Sequence, residues 1–261
     1  MRNRTSFNIN RAVVFALLLR EMRTRFGERR MGAFWLLFEP VAHVVAIMFI
    51  VTVLRGRHVA GFEYPVFLIS GLIPFFLMRN IALKLMDSIS ANRALFAYPN
   101  IRIFDTYVAR ALVECALHVC VFVIIAMGMW WLFDYDMTVY RPMALAAILS
   151  VGVVLSFGVG LILSVVTEAM PNAKTFIRLL FMPLYLISGV IIPVWIIPKD
   201  YLEWVLWNPW LYIIDGIRWA YFEHYPITPQ LTMGYPVAVA VVVMFFALGL
   251  YHLRKRELLA I

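Results

Sequence analysis

The chain has 261 residues, 64% of them hydrophobic and 15% charged, with a mean hydropathy of +0.86 and a formal net charge of +8. Soluble domains are nearer half apolar and a quarter charged, and the apolar residues here fall in long blocks, which excludes one soluble core. The two cysteines, Cys115 and Cys120, point to different faces of a helix, so a disulfide or a metal pair is excluded and both read as small apolar core residues.

The N-terminus, MRNRTSFNINR, lacks the short apolar stretch and small-residue cleavage site of a removable signal peptide. At helical spacing Phe15, Leu18, Leu19, Met22 and Phe26 fall within an arc of roughly 100°, the width of one apolar helix face. Arg20, Glu21, Arg23, Thr24 and Glu28 project elsewhere. Residues 1–31 are therefore expected to form an amphipathic helix in the cytoplasmic interface. It serves either as an anchor that sets topology or as a lever that passes movement from a cytoplasmic partner to the first span.

A helix needs about 20 apolar residues to cross a bilayer. Six runs qualify: Gly32–Leu54, Tyr64–Met86, Asp105–Phe133, Met143–Val166, Phe176–Ile197 and Met233–Leu253. The expected fold is an all-α integral membrane protein with a single transmembrane domain. Its six-helix part occupies 32–253, and 254–261 form a cytoplasmic tail. With the N-terminus inside, eighteen Lys and Arg fall on the cytoplasmic side and five outside, namely Arg55, Arg57, Arg141, Lys199 and Arg218. The positive-inside rule then places both termini in the cytoplasm. The basic excess is thus a topology signal and an attraction to anionic membrane lipid. No loop is long enough for a folded basic domain, so nucleic acid is not an expected partner.

Ionisable residues inside the spans should face protein or water. Glu39 lies about 10 Å into the first helix at 1.5 Å per residue. Pro40 follows it and can kink the helix, and His43, four residues on, shares its face. Arg110, Glu114 and His118 recur at one-turn spacing and are expected to form a polar stripe facing the bundle interior. Arg79 and Lys84 lie near the cytoplasmic end of the second span, where they can snorkel. For these groups, helix pairing is weighed against direct substrate contact.

Residues 198–232 form an aromatic connection broken by Pro198, Pro209, Gly216, Pro226 and Pro229. Two short helices are expected there, Tyr201–Trp207 and Trp210–Tyr221, with Asn208 as a cap and Pro209 at the helix start. Such apolar pieces read as two re-entrant helices forming a gate in the outer leaflet beside a water-filled path, or as an interfacial aromatic belt. Enzyme chemistry finds no support: HExxH, GxSxG and GxxxxGK[ST] are absent from the sequence. No metal site and no cofactor are expected in this chain. Uphill transport would take its energy from an ion gradient or a partner ATPase, and matching pairs of interrupted helices, the mark of many ion-coupled carriers, are missing.

Six stretches carry a resemblance in order along nearly the whole chain: LREMRTRFGERRMGAFWLLFEP at 19–40, YPVFLISGLIPFF at 64–76, NRALFAY at 92–98, DTYVARALVE at 105–114, MPLYLISGVIIP at 182–193 and WNPWLYIIDGIR at 207–218. Together they resemble the inner-membrane permease subunit of capsular polysaccharide exporters of the ABC-2 class. One local departure is Ile103 and Phe104, where the family tends to place a proline before the position of Asp105. The resemblance implies a permease subunit without its own ATPase site, working as a homodimer in a bacterial inner membrane. It implies two nucleotide-binding ATPase subunits that bind ATP and Mg, a periplasmic polysaccharide co-polymerase, an outer-membrane translocon, and a polysaccharide substrate with a glycolipid terminus. The loop at 87–104 would hold the coupling helix for the ATPase, through Asn92, Arg93, Leu95, Phe96 and Tyr98. The polymer path would start at Phe38, Glu39 and His43 and continue past Tyr185, Trp195, Trp207, Trp210 and Tyr212. Aromatic rings there would pack on sugar C–H faces without holding them tightly. Other cargoes remain open at this point, namely O-antigen, teichoic acid or a lipid-linked oligosaccharide. So do a membrane scaffold and a membrane-embedded transferase.

Overall fold

A computed structural model describes residues 6–26, 32–55, 58–59, 62–98 and 101–259. The chain is mostly helical. Its elements are α1 (Ser6–Phe26), α2 (Gly32–Arg55), α3 (Tyr64–Met86), α4 (Ser88–Asn92), α5 (Ile103–Phe133), α6 (Pro142–Ala169), α7 (Ala173–Ile187), α8 (Lys199–Leu202), α9 (Pro209–Tyr221) and α10 (Gly234–Leu259). Short 3₁₀ turns cover Arg93–Ala97 and Val194–Ile196, and a two-residue antiparallel ladder pairs β1 (His58–Val59) with β2 (Phe62–Glu63).

Among the described residues, four helices are long and apolar enough to cross a membrane by length and composition: α3, α5, α6 and the Gly234–Lys255 part of α10. Their bounds lie close to the expected runs. The first expected span coincides with α2, which stays helical through Pro40 and carries an apolar stretch at Val41–Ile50. The fifth differs. Its helix, α7, has 15 residues and ends at Ile187, and the chain then turns through Gly189, whose φ of +71° suits a residue without a Cβ. Continuous hydropathy from Phe176 to Ile197 hides this break, because Ser188, Gly189 and Pro193 count little against so many branched apolar residues.

Helix α3 is the central post. It is buried along nearly its whole length and packs against α5, α6 and α9, while α6 also packs on α10. Within a bilayer, lipid tails are as apolar as the helices, so close packing rather than water exclusion must hold these contacts. Gly152, Ser156, Gly160 and Ser164 provide it. They recur every fourth residue on α6 and all are buried. A Cβ on Gly160 would lie 2.7 Å from the Leu85 Cβ and 3.1 Å from the Ala82 backbone. Ser164 Oγ lies 2.8 Å from the Tyr107 hydroxyl, and Ser156 Oγ accepts from Trp210 Nε1 at 3.3 Å. The stripe thus serves both approach and interhelical hydrogen bonding. Gly160→Ala is expected to force α3 and α6 apart and to destabilise the bundle by about 1–3 kcal/mol. A lower thermal midpoint of the detergent-purified protein is the measurement.

Helix α1 is an unbroken helix over Ser6–Phe26. Of its apolar arc, Phe15 and Leu19 are exposed, whereas Leu17, outside the arc, is buried. Arg20 and Glu21, placed off the apolar face by the helical wheel, make contacts with the rest of the protein. Cys115 is half-buried and Cys120 exposed, both as free thiols, so Cys120 is not a core residue.

Candidate functional site

One end of the fold is built around the short segment between α3 and α5. Helix α3 stops at Asp87, which starts α4, and the 3₁₀ turn at Arg93–Ala97 follows. Helix α5 begins at Ile103. The Asp105 carboxylate accepts from the Arg102 backbone N–H at 3.1 Å, so an acid in the first turn supports the helix start.

Four elements are tied to this segment. From α1, Arg20 Nη1 donates to Asn92 Oδ1 at 2.8 Å. From α6, Glu168 pairs with Arg93 at 3.0 Å. From α7, Arg178 pairs with Asp87 at 2.8 Å, and Lys174 donates to Ser90 Oγ at 3.0 Å while standing 4.0 Å from the Asp87 carboxylate. Helix α5 contributes Thr106, whose hydroxyl lies 3.0 Å from that of Ser88. Of the five residues expected to couple to an ATPase, Asn92 is buried and also donates to the Ser88 carbonyl. Leu95 and Phe96 are half-buried, and Arg93 and Tyr98 are exposed. Three of these side chains are at least partly buried, Arg93 is exposed but held by Glu168, and Tyr98 faces outward. The ties of Asp87, Lys174, Glu168 and Arg178 were not foreseen from sequence, where Lys174 and Arg178 read only as topology charges. Asp87, an isolated acid at a basic membrane edge, was the available signal.

The polar stripe on α5 faces inward as expected. Arg110, Glu114 and His118 are all buried. Arg110 Nη1 donates to the Lys84 carbonyl at 2.8 Å, and its Nε stands 3.4 Å from the Glu21 carboxylate of α1. His118 Nδ1 donates to the Glu114 carbonyl at 2.9 Å, which leaves Nε2, 3.4 Å from Asn80 Nδ2, as an acceptor when the ring is neutral. The stripe therefore joins α1, α3 and α5.

The residues expected along a polymer path fall into separate groups. His43 is exposed, with its ring 5.1 Å from that of Phe76. Phe76 stacks at 6.1 Å on Tyr185, which also lies 5.3 Å from Phe75. Thus His43 and Tyr185 share one aromatic chain across α2, α3 and α7. The Tyr185 hydroxyl is buried and has no hydrogen-bond partner among the described residues. Phe38 is exposed and stacks on Phe34 at 5.0 Å. The side chain of Glu39 lies outside the described residues, and with it the expected pairing to His43. Trp195 sits elsewhere, among Phe62, Phe67 and Tyr225. Tyr212 packs on Tyr235 at 4.9 Å, and the Tyr235 hydroxyl donates to the carbonyl of the exposed Trp207. Trp210 turns inward, against Phe181 and Ser156.

Helix α9 matches its expected bounds, and Asn208 caps it by accepting from the Trp210 backbone N–H at 3.0 Å. The preceding piece is only the single turn α8. The anchor of this region is Arg218, which sequence counting assigned to the outside. It is fully buried. It donates to the carbonyls of Gly189 and Val190, each at 2.6 Å, and lies 3.6 Å from the centroid of the Phe67 ring. Nearby, Asp215 accepts from the Tyr225 hydroxyl at 2.6 Å. Arg141 is likewise engaged, donating to the Trp219 carbonyl at 2.6 Å. A count of charges by loop cannot separate such structural arginines from solvated ones.

Charged side chains from α1, α6 and α7 thus converge on the short α4 segment at one end of a bundle of apolar helices. Residues 12–222 match the ABC-2 type transporter family. The chain belongs to that family. It is 35% identical over 257 residues to the polysialic acid transport protein KpsM of Escherichia coli, covering 98% of each chain. It is 31% identical over 252 residues to the capsule polysaccharide export inner-membrane protein CtrC of Neisseria meningitidis serogroup B, covering 94% of this chain and 92% of that one. With the capsule polysaccharide export inner-membrane protein BexB of Haemophilus influenzae it shares 27% identity over 226 residues, 85% of this chain and 84% of that one. ABC-2 membership and likeness to the capsule branch agree with the resemblance carried by the six stretches.

Proposed function

We propose that the chain is the permease subunit of an ATP-driven exporter that moves capsular polysaccharide, with a glycolipid terminus, across a bacterial inner membrane. The carrying observation is the similarity over nearly full length to a polysialic acid transport protein and to a capsule polysaccharide export inner-membrane protein. The chain supplies no ATPase site. ATP and Mg are bound by two partner ATPase subunits that dock on the segment around α4, and a homodimer of the permease encloses the path. A periplasmic co-polymerase and an outer-membrane translocon receive the polymer.

In this reading α2, α3, α5, α6, α7 and α10 make six crossings, the fifth completed by the extended stretch after Ile187. Both termini are cytoplasmic, and α8 and α9 form the re-entrant gate in the outer leaflet. The network on Asp87 and Asn92 supports the coupling role, because a push on α4 is delivered at once to α1, α6 and α7. Rigid-body shifts of packed helices are a common form of such transmission. The buried hydroxyl of Tyr185 supports its place on the path, since a polar group left without a protein partner can bond a sugar hydroxyl.

Deletion of the gene in a capsulated host is expected to remove surface polymer and to accumulate it in the cytoplasm. Complementation by the wild-type gene should restore export, and Trp207→Ala should restore it only in part. Trp207 is the more informative path residue, being exposed where Trp210 also holds the fold. Undiminished surface polymer after deletion would overturn the export reading; full export by Trp207→Ala would remove that residue from the path.

A further inference from the structure

A groove lies between α2 and α5, and no part of the proposed export path uses it. Its volume is about 880 Å³, within the range of pockets that enclose small ligands. Val45, Met48 and Phe49 form one wall, Ile125, Gly128 and Leu132 the other, and Pro65 and Tyr135 close one end. Gly128 opens the floor, since a Cβ placed there would meet no atom within 4 Å. On α5 the lining runs from Ile124 to Phe133, about 14 Å at the helical rise, and on α2 from Val41 to Val53, about 18 Å. One leaflet of a bilayer is about 15 Å deep, half of the hydrocarbon core. The groove is thus as long as one leaflet. Its flank is formed by Phe49, Val53, Leu132 and Phe133, all strongly exposed.

Beside its closed end lies a second, smaller cleft of about 320 Å³ that carries Glu63, Asp136 and Glu223. The two cavities adjoin along the chain: Pro65 and Tyr135 border the groove, while Glu63, Val66 and Asp136 border the cleft. Hydrogen bonds from Thr138 hold the Asp136 carboxyl below its usual range, so it stays anionic. Arg141, close by in sequence, is bound to backbone carbonyls. The cleft therefore disfavours a headgroup of net negative charge and suits one that carries an ammonium.

We propose that this groove is a binding site for one acyl chain of an outer-leaflet phospholipid with an amine headgroup, whose ammonium rests in the acidic cleft. The inference rests on the reading that α2 and α5 cross the membrane with residues 134–141 outside. It does not depend on what the protein exports. A bound lipid would fill the space where α2 parts from α5 and would steady the outer end of α2.

The full-length protein, made in a host without capsular polymer, is placed in nanodiscs containing a diazirine-tailed phosphatidylethanolamine or a phosphatidylglycerol with the same tail. After photolysis, label is expected on peptides from α2 and α5, with about fivefold more from the ethanolamine lipid, and Gly128→Phe should lower it about tenfold. Met48→Trp, from the opposite wall, serves should Gly128→Phe fail to give monodisperse protein. The pair Glu63→Gln and Asp136→Asn should abolish the headgroup preference while leaving tail labelling in place. Equal labelling from the two lipids, or labelling unchanged in the filled-groove variant, would overturn the proposal. So would label that appears only in a polymer-producing host, which would make the occupant the export substrate. A disulfide-linked dimer formed between Val45→Cys on one copy and Ile124→Cys on another would also overturn it, by assigning the groove to a second copy.

Discussion

Arg218→Met is expected to abolish most of the folded, monodisperse protein obtained in detergent, the largest effect of any single substitution outside the glycine contacts. The reason lies in what the guanidinium leaves behind. It donates to two buried carbonyls, Gly189 and Val190, at the turn where the α7 segment breaks. Each buried carbonyl left unpaired costs about 1–3 kcal/mol, and loss of the stacked cation over Phe67 adds up to about 2 kcal/mol. The sum, on the order of 2–8 kcal/mol, is comparable to the whole stability of many domains. Arg218→Lys should fail nearly as badly, because one ammonium cannot span both carbonyls and lie flat on the ring. Gly71→Ala offers an independent check, since a Cβ there would lie 2.5 Å from the Arg218 guanidinium. It should lower the thermal midpoint in the same direction by a smaller amount. A fully folded Arg218→Met protein would mean that the broken segment is held by other contacts.

That arginine also marks where reading the sequence reaches its limit. Long helices such as α3, α5 and α6 are legible because their apolar runs are longer than any soluble helix needs, and charged or turn residues end them. The inward stripe of Arg110, Glu114 and His118 is legible too, since three ionisable groups at one-turn spacing cannot all face lipid. The cap at Asn208 follows from Asn-Pro chemistry. By contrast, Arg218 follows a run of apolar and aromatic residues, and its partners are backbone carbonyls 28 and 29 residues away. Backbone acceptors leave no side-chain signature. The early end of α7 was hidden for a related reason, as hydropathy does not register a change of backbone direction at Gly189. The expected path residues separate into several clusters because aromatic character marks burial, helix packing and sugar contact alike. Phe181 with Trp210 and Phe67 with Trp195 are packing pairs.

The second large effect is expected at the junction of α1 and α5, and it separates holding the fold from driving it. Glu21 and Arg110 pair at 3.4 Å with side chains 12% and 9% exposed. Removing one member of a buried pair strands the other's charge and typically costs about 3–5 kcal/mol, whereas removing both together is often close to neutral. Glu21→Ala and Arg110→Met should therefore each lower the thermal midpoint strongly, and the double variant should recover most of the loss. The interaction energy from this cycle should exceed about 1 kcal/mol, as expected for groups in direct contact. Export adds a second readout. Arg20, the neighbour of Glu21, holds Asn92 at 2.8 Å, so α1 grips the α4 segment and α5 through adjacent residues. If α1 carries motion between them, the double variant will be stable, will assemble with the ATPase and will support ATP hydrolysis, yet surface polymer will stay low. Restored export alongside restored stability would reduce the pair to a structural fastening. Low stability in the double variant would instead show that α1 needs the charges for its seating, through the carbonyl of Lys84 that Arg110 also reaches.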